Sequence, residues 1–220
     1  MNTSELEKLK SKLPIHPGIL RKEEYFNSAV LIPLVFVNNE YNFLFEKRAA
    51  NIRQGGEICF PGGEFDPEID SSFKDTAIRE TIEELGLEKT NISVVGILDT
   101  LIGPMGVTVD SFLGVLNLTD ISSIKFDKNE VEKIFFIPVS FFLKNKPEKY
   151  HVRLEINPTE IDRNGEMIST LPVKELKLPD RYSKTWRGRK HQIFVYKTSE
   201  GIIWGITASL IFEIVRKLTS

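Results

Sequence analysis

Apolar and polar positions alternate along this chain with two different periods. Residues 29–37, AVLIPLVFV, form an almost unbroken β-branched run and predict a buried strand, with Pro33 breaking its middle. Asn38-Asn39 predicts a turn, and YNFLFEKR at 41–48 predicts the returning strand of a hairpin. EICF at 57–60 reads as a short strand that runs into Pro61-Gly62-Gly63, read as a rigid turn. An acidic loop follows, then a helix from about Ser72 to Leu85, closed by Gly86. Further strands are predicted at 92–101, 107–116, 131–139, 151–157, 192–197 and 202–207. The period then changes to helical. Leu210, Ile211, Ile214, Val215 and Leu218 mark the apolar face of a closing helix from about 207 to 218. Residues 3–12 predict a polar helix capped by Thr3 or Ser4 and stopped before Pro14.

Many strands around two substantial helices imply an α+β fold, a mixed β-sheet with helices packed on its faces. No linker divides the chain. One domain is expected over 1–220, with 1–25 as an N-terminal helical extension and the polar, turn-rich 158–191 as an insertion or lid.

Composition narrows the function. A net charge of -2 argues against a general nucleic-acid binder. The longest apolar run, IFFIPVSFFL at 134–143, is too short for a bilayer, and the N-terminus lacks a signal-peptide core. A soluble protein with no membrane partner is expected. Cys59 is the single cysteine, so no intramolecular disulfide can form, and a cytoplasmic location fits.

The chemistry concentrates after the glycine pair. On a helix, Glu84 lies about 40° to one side of Glu80 and Glu83 about 60° to the other, so the three acids share a face. Ile78, Ile82 and Leu85 fall near the opposite side and are expected to pack on the sheet. Arg79 can pair with Glu83 one turn on. Acids commonly line a solvated helix face, and that reading stands beside a functional one. Two features oppose it: the acids repel one another, and the C-terminal half of a helix disfavours negative charge. A divalent cation such as Mg²⁺, which prefers carboxylate oxygens and bridges to phosphates, would reverse both penalties.

The stretch FPGGEFDPEIDSSFKDTAIRETIEELGL (60–87) resembles the Nudix box, G-x5-E-x7-R-E-U-x-E-E-x-G-U, where U is a bulky apolar residue. Gly63 matches the first glycine, and RETIEELGL matches the second half with Thr81 at the first U. Gly63 and Arg79 stand 16 residues apart, two more than the pattern has. The first motif glutamate has no plain counterpart; Asp70 or Glu68 is the candidate. LFEKRAANIRQGGEICFPGG (44–63) and the later Trp-Gly-Ile-Thr-Ala are similar to the coenzyme A pyrophosphatase branch of that superfamily, though a spacing residue is missing between Arg53 and Gly56.

The resemblance implies a Nudix fold, its mixed sheet sandwiched between helices. It implies hydrolysis of a nucleoside diphosphate derivative with Mg²⁺ or Mn²⁺, first of all coenzyme A or acyl-coenzyme A. ADP-ribose, dinucleotides or nucleoside triphosphates are the alternative substrates, and a non-catalytic nucleotide-binding module is the alternative class. Glu80, Glu83 and Glu84 would ligate metal, with Glu80 or Glu83 open as the base. The Gly63 carbonyl would be a further ligand, and Arg79 would orient Glu83. Arg48, Arg53, Glu57, Glu130 and Arg187 are candidates around the substrate. Arg48 and Arg53 could equally pair across strands, and Arg187 could belong to a solvated basic loop. Dimers are common in the superfamily, so a homodimer is compatible.

Overall fold

The computed structural model describes all 220 residues, the side chain of Ser123 excepted. Helix α1 (Thr3–Lys10) precedes strands β1 (Phe26–Val37), β2 (Glu40–Arg48), β3 (Ile58–Cys59) and β4 (Gly62–Glu64). Helix α2 (Phe73–Leu85) leads to β5 (Ile92–Ile97), β6 (Leu101–Gly103), β7 (Val107–Leu116) and β8 (Val131–Pro138), then to α3 (Val139–Lys144). Five short strands follow, β9 (Glu148–Val152), β10 (Glu155–Ile156), β11 (Thr159–Ile161), β12 (Met167–Ser169) and β13 (Trp186–Arg187). The chain closes with the hairpin β14 (His191–Thr198) and β15 (Gly201–Trp204) and helix α4 (Gly205–Thr219). Among the described residues no helix is long and apolar enough to cross a membrane.

The main sheet runs β3-β2-β1-β7-β5, with β4 on β1, β6 on β7 and β8 on β2. Its one parallel pair is β1 with β7, so the sheet is mixed. Strand alternation sends Leu31, Val35 and Leu44 to one face, where Ala77 and Leu85 of α2 cover them. Ile32, Phe43 and Phe45 point the other way, against Phe142 of α3 and Leu210 and Ile211 of α4. The α+β sandwich of the sequence reading is the observed architecture. The segment 158–191 carries the small ribbon β11 with β12, and its β13 pairs back with β10, which precedes it.

Several local expectations change. Pro33 lies well inside β1, and the register explains how. On that edge β4 pairs with Ser28–Val30 and β2 with Leu34–Val37. The Leu31 N–H reaches the Pro61 carbonyl on the same side, so by alternation the Pro33 nitrogen falls in the gap between the two partners. The hairpin turn forms as expected, with Asn38 and Asn39 both at positive φ, 52° and 64°. The first helix is capped by Asn2 rather than Thr3 or Ser4, because Asn2 and Glu5 satisfy each other's backbone N–H groups. The predicted strand 92–101 divides into β5 and β6, and the closing helix begins two residues early, at Gly205.

The largest change concerns Gly62-Gly63. These residues form strand β4, not a turn, and pair antiparallel with Ala29 and Val30 of β1. Glycine serves here for close approach. A Cβ on Gly62 would stand 2.3 Å from the Ala29 carbonyl oxygen.

Candidate active site

Helix α2 begins where Ser72 accepts from the Asp75 N–H and stops where Gly86 turns left-handed at φ 62°. Thr76, Ala77, Thr81 and Leu85 pack into the sheet. This buried arc centres near Thr81, about 100° round the helix from Glu80. The expectation that the three glutamates lie opposite the core is therefore corrected. Glu84 is 2% exposed and lies within the buried arc, between Thr76 and Ala77. Ile82, expected in the core, is half-buried. Glu80 lies at the boundary, and Glu83 projects to solvent with 59% of its side chain exposed.

Each glutamate has a different partner. Glu84 Oε2 accepts the Gly62 N–H at 3.0 Å, and the Arg48 guanidinium stands 4.0 Å from its other oxygen. The Glu80 carboxylate lies against Gly63, where a Cβ would come within 2.4 Å of it. Arg79 Nη1 donates to Glu80 at 2.7 Å and to Glu83 at 3.1 Å. The rest of the Arg79 fork grips Asp70, from Nε at 3.0 Å and Nη2 at 2.9 Å. Of the two candidates for the missing motif glutamate, Asp70 is the one brought to Arg79, and Glu68 stays on the exposed loop.

The electrostatics follow from this packing. Arg79's hydrogen bonds, followed by those from the Asp66 N–H and Thr76, hold Asp70 down at about 2 despite its burial. Burial pushes Glu80 up, against the pull of Arg79. Burial pushes Glu84 up further, and the charge of Glu46 adds to it.

Glu46, which the sequence reading missed, is the fully buried acid of this face. Leu44 faces α2, so alternation along β2 places Glu46 and Arg48 on the same face. The Cys59 thiol donates to Glu46 Oε1 at 3.3 Å, while Oε2 lacks a partner. A charge in a strand otherwise buried on both sides was the available signal.

The remaining candidates separate. Arg48 Nε donates to the Arg53 carbonyl, and the Arg53 guanidinium lies over the Phe26 ring at 5.1 Å. The Arg48 N–H reaches the Glu57 carbonyl. Glu57 also borders a hollow of about 510 Å³, lined by Lys47, Ile58, Ile202 and Trp204. Glu130 adds to the negative charge around both Glu46 and Glu80. Arg187 is not brought to this cluster: it pairs with Glu155 at 2.8 Å across the β10–β13 ribbon.

The donor set fits a hard divalent cation in kind. Glu46, Glu80 and Glu84 are carboxylates held at low exposure, with an orphan oxygen on Glu46. As they stand, no three acid, imidazole or thiol groups among the described residues converge into a ready-made cage. Glu80 and Glu83 lean on Arg79 instead.

A mixed sheet with a capped, acid-bearing helix laid against a glycine strand defines an α+β protein whose site suits a cation and a phosphate chain. The NUDIX domain model matches residues 26–184, and the chain belongs to the Nudix hydrolase family. It is similar to mitochondrial coenzyme A diphosphatase NUDT8 of Homo sapiens, 33% identical over 149 residues, 67% of this chain and 59% of that protein. It also resembles peroxisomal coenzyme A diphosphatase NUDT7 of Mus musculus, 33% identical over 124 residues, 56% of this chain and 50% of that one. An uncharacterized Nudix hydrolase NudL of Photorhabdus laumondii is 28% identical over 193 residues, 87% of this chain and 84% of that one. The chain therefore spans 59% and 50% of the length of the two diphosphatases.

Proposed function

We propose that the protein hydrolyses the diphosphate of coenzyme A or acyl-coenzyme A, with Mg²⁺ or Mn²⁺ as cofactor. The products would be 4′-phosphopantetheine, or its acyl form, and adenosine 3′,5′-bisphosphate. The observation that carries the reading is the packing of Glu80 and Glu84 against Gly63 and Gly62, which concentrates carboxylates beside an accessible backbone. Similarity to two coenzyme A diphosphatases supports the substrate.

In this reading Glu80, Glu83 and Glu84 hold the cation, with the Gly63 carbonyl as a further donor. The bound cation would neutralise phosphoryl oxygens and lower the pKa of an attacking water. A carboxylate, Glu80 or Glu83, takes the proton as the water oxygen bonds to phosphorus and the bridging P–O bond breaks. Arg79, clamped by Asp70, keeps Glu80 and Glu83 in register. The hollow beside Glu57, with the half-exposed Trp204 ring, offers room for part of a nucleotide.

Purified protein with Mg²⁺ or Mn²⁺ is expected to cleave coenzyme A to these two products, and EDTA to stop the reaction. Glu83→Gln should lower turnover by about 100-fold or more without unfolding the protein. A panel including ADP-ribose and dinucleotides, compared by kcat/KM, tests the substrate. Preference for ADP-ribose with coenzyme A untouched would overturn it.

A further inference from the structure

The outer face of the β14–β15 hairpin presents large apolar side chains to solvent. Val195 stands beside Trp204 across the strand pair, and Ile202 lies on the same face two residues before it. Ile202 is 50% exposed and Trp204 44%. With Ile58 of β3 they wall the hollow of about 510 Å³, a volume within the roughly 300–1,000 Å³ of small-molecule sites. The apolar strip continues along that face through Ile193 and its cross-strand partner Tyr150.

The hollow lies behind the carboxylates, on the other face of the same sheet edge. Lys47 borders it, while the next residue, Arg48, turns to the α2 face and stands 4.0 Å from Glu84. β3 is the end strand of the main sheet. The way from one face to the other runs round the turn at Gly56, where a Cβ would meet nothing within 4 Å. Packed layers stand about 10 Å apart. The pantetheine arm of coenzyme A, about as long as four peptide residues, reaches roughly 13–14 Å when extended.

Charge decides which end of coenzyme A suits the hollow. Lys47 is held by Glu132 at 2.7 Å, and Glu200 by Lys133 at 2.9 Å. Glu57, with no ion pair among the described residues, leaves the lining negative. The adenosine end carries a 3′-phosphate and would be repelled there. The pantetheine arm is neutral, and an acyl chain on its sulfur is apolar like the walls.

We propose that this hollow takes the pantetheine arm, with an acyl chain laid against Ile202 and Trp204, so that it selects acyl-coenzyme A over free coenzyme A. This rests on the coenzyme A reading of the site and adds to it which end of the substrate lies where.

The two products carry one end of the substrate each, so their binding separates the ends. Calorimetry on the full chain with Mg²⁺ gives the dissociation constants. Ile202→Asp and Trp204→Ala, both at half-exposed positions, should each weaken octanoyl-4′-phosphopantetheine by about tenfold or more. Adenosine 3′,5′-bisphosphate should weaken by less than about twofold. In steady-state kinetics, the kcat/KM for octanoyl-coenzyme A relative to coenzyme A should fall about tenfold in both variants, a ratio that a general loss of folded enzyme does not move. A Trp186→Phe protein keeps Trp204 as its only tryptophan. Its emission should shift to the blue when the octanoyl product binds, and no shift would overturn the assignment. Weakened adenosine 3′,5′-bisphosphate with an unchanged octanoyl product would put the adenosine end in the hollow and overturn it. Unchanged binding of both products would also overturn it. In each of these cases hydrolysis of coenzyme A by the wild type leaves the activity reading intact. A wild type that leaves coenzyme A and octanoyl-coenzyme A uncut would overturn both.

Discussion

Arg79 holds Asp70 with two parallel hydrogen bonds across the turn that opens α2, at 3.0 and 2.9 Å. Asp70 is 6% exposed and also accepts from Thr76 and from the Asp66 N–H. The pair ties the acidic loop to the helix and fixes the guanidinium that steadies Glu80 and Glu83.

The Asp70 carboxyl is held at about 2, below its usual 3.8, first by the hydrogen bonds from Arg79. A depressed carboxyl contributes stability that is full above the unfolded-state value and is lost as pH falls through the folded one. The contribution should amount to about 2 kcal/mol and disappear between about pH 4 and pH 2. Urea unfolding at pH 7 should show Asp70→Asn less stable by about that amount, with the gap closing at low pH. A constant gap across that window would disprove the linkage.

The two adjacent glycines should respond differently to alanine. At Gly62 a Cβ would meet backbone atoms, the Ala29 oxygen at 2.3 Å and the Val30 Cα at 2.7 Å, and φ is already 155°. Gly62→Ala should therefore cost about 3 kcal/mol or more. At Gly63 the obstacle is the Glu80 carboxylate, the movable end of a side chain. Gly63→Ala should lose less than about 1 kcal/mol while lowering kcat/KM by about 100-fold through the displaced carboxylate. Chemical denaturation together with steady-state kinetics separates the two effects.

Arg48 presents a similar choice between structure and substrate. Its position 4.0 Å from the buried Glu84, with Nε on the Arg53 carbonyl, favours a structural charge partner. Arg48→Met keeps the aliphatic stem and should destabilise the metal-free protein by about 1–3 kcal/mol. KM should change by less than about threefold. A large rise in KM with unchanged stability would instead assign Arg48 to the substrate phosphates.

These positions also explain what the sequence made legible. The apolar period and the terminal residues located α2, and Ser72 and Gly86 cap it as their types suggest. Positive-φ tolerance marked Asn38-Asn39. The glycine pair misled because glycine punctuates turns and also permits close approach; only the partner strand distinguishes the two uses. Glu46 was hidden because a charged residue is counted as solvent-facing, although the alternation after Leu44 directs it inward. The glutamate face was misplaced for a related reason. Thr76 and Thr81 read as polar, yet both are fully buried with satisfied hydroxyls, and they rotate the core arc towards Glu84.

Thr81 offers a direct check on that last point. It stands where the family motif has an apolar residue, and its Oγ1 donates to the Ala77 carbonyl at 2.6 Å. That carbonyl lies one turn back in the same helix, so removing the hydroxyl strands no distant buried partner. Valine supplies a methyl in its place, at the cost of a slightly lower helix propensity. Thr81→Val should leave stability within about 1 kcal/mol of wild type, whereas Thr76→Val, which removes a donor from Asp70, should cost about 1–3 kcal/mol. Paired urea unfolding curves decide it. Equal losses at the two sites would mean that the buried arc of α2 tolerates its threonines for their shape alone, and that the Asp70 network contributes little to holding the helix in place.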